Sequence, residues 1–474
     1  MASMRAEIVI CGAGIAGIAA AHSLSKNGHK DILLLDAGSP LALTSDKSTE
    51  AYRNWWRDDA MIALMNRSID LMEELAKKHN NVFRLNRRGY LYATADAAKI
   101  PEFQSTAQRA YKFGAGPIRL YGKKSRIHVA RACCGVLHDG QAESPQYQAA
   151  AQEDFEDQPT GCDLILDPQM IKFQFPYLSS ATVAALHARR CGWFSGQQLG
   201  ILLYELALKH GVRFMNAEVV EVTTQGNRVR EVVVRQDNTL SNIRTSVFVN
   251  AAGPRLQEVS ELLGHSLPIF FERHLKLSFR DTLGIIPRDA PLLIWDDAQY
   301  LNWTEEERNL LAGEEDLRVL LDLLAPGAHL RPEGGSESEN ILLLWPYDTD
   351  PVAPQYPMPI SEVFPEVTLR GLVTLVPGLE AYVNNMPKPF VDGGYYVKTP
   401  GNRMLCGPLP VDGAFVLGAL SGYGLMAACA AGELLEAHIA GTALPSYASA
   451  FVPARFDDPA YLDKVNSWGP SSQL

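Results

Sequence analysis

The chain lacks most of the features that would set it apart from an ordinary folded enzyme. Its seven cysteines (11, 133, 134, 162, 191, 406 and 429) form no C-x-x-C pair. An odd, scattered set excludes a disulfide framework and fits reduced thiols in a cytoplasmic protein. Cys133 and Cys134 are adjacent, and read as two buried or loop thiols rather than a redox pair. No Lys/Arg-rich run is present, and the net charge is −11, which argues against nucleic acid as a partner. No internal repeat, low-complexity tract, H-E-x-x-H spacing or Ser/His/Asp set is seen, so no metal site is expected. Charge is missing from one stretch of twenty residues, GAFVLGALSGYGLMAACAAG at 413–432. Its length fits a membrane span. Its glycines do not, since glycine costs about 1 kcal/mol relative to alanine inside a helix. The run therefore splits into a buried strand (413–420), a tight SGYG turn (421–424) and a helix that closes at Gly441, ahead of Pro445. No membrane span is expected.

With 474 residues, 47% of them apolar and 20% charged, the chain can bury the cores of two or three domains. The N-terminal MASMRAEIVICGAGIAGIAAAHSL has an Arg before an apolar run, as a signal peptide does. Glycine spacing explains it better. Residues 6–10 read as a β-branched strand; Gly12, Gly14 and Gly17 follow as G-x-G-x-x-G; residues 15–26 read as a small-residue helix, and 31–35 as the next strand, closed by Asp36. Gly12 permits the turn, Gly14 lets backbone approach a pyrophosphate, and Gly17 lets helix and strand pack. Asp36 can accept from a ribose diol, and an acidic residue there favours FAD or NAD over NADP.

Amphipathic spacing predicts helices over 58–79 and 197–210. Residues 213–224, 228–236 and 243–250 read as a three-stranded meander running into NAAGP at 250–254. Residues 304–340 read as an acidic, solvated helix followed by a Gly/Ser-rich loop.

Together, CGAGIAGIAAAHSL with Asp36, EVVEV, VNAAGP and GAFVLGALSGYGLMAACAAGELL resemble the D-amino-acid oxidase family of flavoproteins, which includes glycine oxidase and monomeric sarcosine oxidase. The resemblance implies an α/β fold: a Rossmann-like FAD-binding domain of the glutathione-reductase type with a β-meander, plus a substrate domain built on a mixed β-sheet with helices. It places the FAD-binding domain at 1–85, 175–265 and 400–474, and the substrate domain at 86–174 and 266–399. The cofactor implied is FAD. Gly12, Gly14, Ile15, Ala16, Asp36 and Ala37 would hold its ADP end, Val220 the adenine, and Ala252 and Gly253 the pyrophosphate. Gly422, Tyr423, Gly424, Leu425 and Met426 would face the flavin, with Ser48, Thr49 and Arg53 from the loop KSTEAYRNWW.

The chain also departs from its relatives. Gly394 stands where sarcosine oxidase has its flavin-linking Cys, and no His lies in 47–56, so FAD is expected to be non-covalent. The strand NILLLWPYD lacks the Lys by which sarcosine oxidase promotes reaction with oxygen, and Lys276 lies on another strand, so the acceptor is O₂ or another electron acceptor. Tyr396, Lys398 or Arg403 stands near glycine oxidase's carboxylate-binding Arg.

The resulting expectation is hydride transfer from the carbon beside a neutral amine to flavin N5, giving an imine, with Tyr396, Lys398, Arg53 and Tyr423 in the catalytic site. Aromatic residues (Tyr52, Trp55, Trp56, Tyr395, Tyr396, Tyr423, with Trp295 and Trp345) point to a bulky or aromatic amine or amino acid. Alternatives are a flavin dehydrogenase passing electrons to a non-oxygen acceptor, a monooxygenase-type enzyme, and a flavoprotein serving as an electron-transfer subunit.

Overall fold

The computed structural model describes residues 4–122, 147–150 and 153–466; Cys133 and Cys134 lie outside them. The strand Ile8–Cys11 is wholly buried between Ile32–Asp36 and Val247–Asn250, all three parallel. Arg213–Asn216 extends this sheet on one side, and Ala414–Gly418 and the antiparallel Leu405–Pro408 on the other. Strands buried on both faces read as continuous apolar runs, as IVIC and ILLL do. Helices Ile15–Lys26 and Gly424–Ala440 cover one face. They touch backbone to backbone: a Cβ on Gly432 would lie 2.5 Å from the Ala19 carbonyl oxygen.

The uncharged run at 413–432 thus divides into strand, turn and helix. Among the described residues, no helix is long and apolar enough to cross a membrane.

Two expected meander strands are each shared between sheets. Residues 213–216 pair with Ile32–Asp36, and the chain then turns at Ala217 into Glu218–Thr224. Likewise Thr239–Arg244 stays in the meander while Val247–Asn250 enters the parallel sheet. Thr245 makes the corner, its hydroxyl within donating distance of both the Glu7 and the Val247 carbonyls, which share its one proton. A period-two pattern persists across such a corner, so the sequence alone reads one strand.

The second layer is a nine-stranded mixed sheet. Its order is Phe390–Lys398, Phe270–Arg280, Asn340–Leu344, Ala328–Pro332, Leu292–Trp295, Tyr90–Thr94, Ala184–Ala188, Cys162–Ile165 and Ile118–Tyr121. Two differences from expectation stand out. Ala184–Ala188 lies inside this sheet, so we place the chain's return to the cofactor half after it rather than at 175. Ala328–Pro332 is a central strand, although 304–340 reads as helix and loop. The helix Glu305–Gly313 does form, with a Thr304/Glu307 capping box, but five residues flanked by acidic sequence carry too short a pattern to reveal a buried strand. A small ribbon, Ala51–Arg53 against Cys191–Trp193, lies between the layers.

Candidate functional site

Two cavities meet where the layers touch. The larger, about 750 Å³, lies outside the carboxyl ends of the parallel strands, where open α/β sheets hold their ligands. It is built mostly of backbone and small side chains. A Cβ on Gly12 would overlap the Ala251 carbonyl and one on Gly17 the Gly12 carbonyl, so only glycine permits this turn. Gly14 begins the helix Ile15–Lys26 without a side-chain cap, and the Ile15 N–H donates to Ser45 Oγ at 3.0 Å. The helix N-terminus is thus presented to the cavity with its positive dipole end. Asp36 accepts the Ala13 N–H and the Gly38 N–H, each at 2.7 Å, which leaves lone pairs on both oxygens for a further donor. Opposite, Ala419 and Ser421 sit in the left-handed region (φ 50° and 48°), a strained geometry for non-glycine residues. The Ser421 N–H donates to the Val397 carbonyl at 2.9 Å and ties this turn to the second layer. The helix Gly424–Ala440 starts there, also without a side-chain cap.

Gly12, Gly14, Ile15, Ala16, Asp36, Ala37, Ser48, Val220, Ala252, Gly253, Gly422, Gly424 and Leu425 all line this cavity. A cradle of glycines, two helix N-termini whose N-cap residues supply no side-chain cap, and a carboxylate edge with lone pairs to spare fits an extended dinucleotide. The sequence reading missed the stretch Ala42–Ser45 and the charged residues Arg235, Arg255 and Glu258, which also line the cavity. No spacing rule links them to the glycine motif.

The smaller cavity, about 90 Å³, is built of side chains from distant strands. Thr49, Arg53, Tyr423 and Met426 line it rather than the larger one, and Gly422 and Tyr396 line both. Arg53 comes from the small ribbon and is 5% exposed. Its guanidinium lies over Trp56, 4.3 Å from the ring centroid, and donates to Tyr92 Oη at 3.3 Å. Its Nε has no partner, and no carboxylate pairs with it among the described residues. A buried charge is costly unless compensated. The neighbouring cations are compensated: Arg273 by Asp348 at 3.1 Å, Lys398 by Glu272 at 2.8 Å, Arg403 by Asp58 at 3.1 Å. Lys276 donates to the Ser48 carbonyl at 2.7 Å.

Two histidines that sequence reasoning missed also line this cavity. His329 Nδ1 lies 2.7 Å from the Gly327 carbonyl. A carbonyl only accepts, so Nδ1 carries the proton and Nε2 is a lone pair. Burial, aided by Arg53, pushes the His329 pKa down to about 4. His274 Nε2 lies 2.9 Å from Glu272 Oε2, and its ring stacks on Tyr396 with centroids 3.8 Å apart. Burial lowers its pKa, and Glu272 opposes that.

Two expected catalytic side chains are placed otherwise. Lys398 is 3% exposed, bound to Glu272, and lines neither cavity. Tyr423 offers the cavity only its ring, because its hydroxyl donates to the Asn402 carbonyl at 3.0 Å. The aromatic set divides as well. Trp56, Trp345, Tyr396 and Tyr423 line the smaller cavity, and Tyr395 the larger. Tyr52, Trp55 and Trp295 are core, with the Tyr52 hydroxyl on the Asn86 carbonyl.

The family model described as DAO, FAD dependent oxidoreductase, matches residues 7–125 and 118–437. No curated protein matches. Among solved structures, L-proline dehydrogenase from P. horikoshii is similar with a TM-score of 0.71 at 19% identity, over 96% of this chain and 98% of that one. Glycine oxidase from Geobacillus kaustophilus gives a TM-score of 0.69 at 13% identity, over 96% and 99%. L-amino acid deaminase from Proteus vulgaris gives 0.67 at 13%, over 96% and 99%. At such identities the likeness is one of fold.

Proposed function

The chain belongs to the FAD dependent oxidoreductase family, and on that premise we propose that it oxidises the C–N bond of a compact amino or imino acid held through its carboxylate by Arg53. The observation that carries this reading is the buried Arg53 guanidinium, without a carboxylate partner among the described residues, in the cavity that adjoins the dinucleotide cleft at Tyr396 and Gly422. A substrate carboxylate would complete the charge pair, and bonds to charged groups are each worth about 1.5–3 kcal/mol.

We favour a compact substrate over the bulky or aromatic one expected from the aromatic residues. Those side chains fill the space instead of enlarging it, and the remaining 90 Å³ is room for a handful of waters. Proline, a compact imino acid, is the substrate that the P. horikoshii neighbour's name carries.

FAD, when bound, supplies the two-electron oxidation. Gly12, Gly14, Ile15, Ala16, Asp36 and Ala37 would hold its ADP end, and Gly422, Gly424 and Leu425 its flavin end. The described cysteines are buried and unpaired, and we infer non-covalent attachment. The chain's own part is orientation: Arg53 fixes the carboxylate, and Trp56, Tyr423 and Trp345 exclude water from the carbon that is oxidised.

The test is anaerobic rapid mixing with proline, alanine, sarcosine, phenylalanine and pyrrolidine, following loss of flavin absorbance. Compact amino acids should bleach the flavin fastest. Pyrrolidine, the proline ring without its carboxylate, should act at least tenfold more slowly at equal concentration. Equal rates for proline and pyrrolidine would remove Arg53 from the reading.

A further inference from the structure

An amino acid reaches the cavity as an ammonium ion, while oxidation beside nitrogen needs the neutral amine. A proton must therefore leave the nitrogen inside a small cavity walled mostly by apolar side chains. We propose that His274 is the group that takes it, with Glu272 and Lys398 as the residues that position and balance it. This inference rests on the amino-acid reading above.

The geometry comes from two adjacent strands. His274 and Glu272 are two residues apart on Phe270–Arg280 and so point to the same face. Lys398 comes from the paired strand Phe390–Lys398. Glu272 Oε1 accepts from Lys398 Nζ at 2.8 Å, and its Oε2 lies 2.9 Å from His274 Nε2. Glu272 is held ionised: burial opposes this, but its bonds to His274 and Lys398 outweigh burial and lower its pKa. A carboxylate only accepts, so the His274 Nε2 carries a proton. In the neutral ring Nδ1 is then a bare lone pair. Nδ1 has no hydrogen-bond partner among the described residues, and the residue lines the smaller cavity. Stacking on Tyr396 fixes the ring plane.

The step balances. The substrate N–H bond breaks, its electron pair stays on nitrogen, and the proton forms a new N–H bond at Nδ1. The cavity's net charge is unchanged, because the positive charge moves from ammonium to imidazolium. Glu272 stabilises that imidazolium through Nε2–H, and the proton leaves to solvent with the product.

The second imidazole is less suited to the task. His329 has a carbonyl behind it instead of a carboxylate, and it feels Arg53 and Arg331. The charged and titratable groups around His274 are Glu272 and Arg273 on its own strand, Tyr396 and Lys398 on the paired strand, Asp348 after Asn340–Leu344, His329 on Ala328–Pro332, and Arg53 across the cavity.

The test uses the FAD-loaded enzyme and His274→Gln. In the parent, the limiting rate of anaerobic flavin bleaching by excess proline should be flat from neutrality towards the ammonium pKa of the substrate. In H274Q it should rise about tenfold per pH unit, because only the neutral fraction reacts. Pyrrole-2-carboxylate carries a carboxylate and no basic nitrogen. Its affinity, read from the flavin spectrum, should tighten as the pH falls through the His274 titration in the parent and stay flat in H274Q. A measurement on the parent alone removes dependence on the variant's folding. With ¹⁵N-histidine label at pH 8, α-aminoisobutyrate (no α-hydrogen to lose) should shift the bare nitrogen of one neutral imidazole further than pyrrole-2-carboxylate does, because an ammonium N–H is the stronger donor. A flat rate profile in H274Q, or histidine resonances unmoved by α-aminoisobutyrate, overturns the proposal. Failure of pyrrole-2-carboxylate to bind at all strikes instead at the Arg53 reading.

Discussion

The two cavities that meet at Tyr396 and Gly422 are made in opposite ways. The larger is lined by turns, helix ends and small residues, and most of its lining comes from short contiguous stretches: 11–16, 36–45, 217–220, 251–255 and 417–425. The smaller is lined by side chains brought from the ribbon at 51–53, the strand Phe270–Arg280, the strand Ala328–Pro332 and the segment 344–348. A backbone site is specified by where glycine must stand, so it fails all at once when a glycine is replaced. A side-chain site is specified by single groups, so it fails one function at a time while the fold persists. That difference can be broken or sharpened by substitution.

The largest effect belongs to the backbone site. Gly17→Val puts a branched Cβ where the Gly12 carbonyl already lies. The helix Ile15–Lys26 must move away from the strand before it, and with it the contact to Gly424–Ala440 at Gly432. Overpacking costs about 1–3 kcal/mol and occasionally more, and here backbone rather than a side chain would have to yield. The expected outcome is protein with no FAD absorbance and a lowered melting temperature. A folded, yellow G17V would show that the two regions are less different than they look.

Arg53→Met should leave FAD content and melting temperature near the parent's, because the side-chain length is kept and a costly buried charge is removed. The affinity for pyrrole-2-carboxylate should fall by about 10- to 150-fold, the equivalent of 1.5–3 kcal/mol. Loss of FAD in the same variant would mean that Arg53 belongs to the cofactor site, as the loop KSTEAYRNWW first led us to expect. Asp36→Ala tests the converse. It removes acceptors for the Ala13 and Gly38 N–H groups and the acceptor meant for a ribose. FAD affinity should fall about tenfold, again by the loss of charge-assisted bonds, with pyrrole-2-carboxylate affinity of the reloaded enzyme unchanged.

This contrast also explains what could be read from the residues alone. Asp36 stands 19 positions after Gly17 because a strand and a helix of ordinary length separate them, and a fixed spacing is visible in a string of letters. The split of 413–432 into strand, turn and helix was visible for the same reason: glycine and serine at 421–424 interrupt the run. His274 and His329 were invisible as site residues. Nothing near His329 marks AHLRP as a strand, and its partner is a backbone carbonyl. The His274–Glu272–Lys398 chain crosses 126 positions, and a period-two pair on one strand has no meaning until the paired strand is known. Lys398 and Tyr423 were singled out because their neighbours in sequence pointed to the flavin, but a neighbour in sequence does not say which way a side chain turns. The strand's alternation sends Lys398 to Glu272, and the Asn402 carbonyl takes the Tyr423 hydroxyl.

The smallest effect is expected at the boundary, where one residue serves both regions. Tyr396 lines both cavities. Its ring lies flat on His274, and its hydroxyl makes no hydrogen bond among the described residues. Burial, with Glu272 adding to it, pushes its pKa up to about 12, so the hydroxyl stays a neutral donor at ordinary pH. Tyr396→Phe removes that donor and keeps the ring, the stacking and the wall between the cavities. A neutral hydrogen bond contributes about 0.5–1.5 kcal/mol, which corresponds to flavin reduction by proline slowed about two- to tenfold. FAD content and melting temperature should not change, since no protein group loses a partner. A rate equal to the parent's would mean that the hydroxyl is a bystander and that Arg53 and the histidines act without it. A loss beyond a hundredfold would mean that the ring itself has moved, and the affinity for FAD would then fall with it. Measuring both quantities on one preparation decides whether Tyr396 belongs to the region built of side chains, as its free hydroxyl implies, or to the one built of backbone.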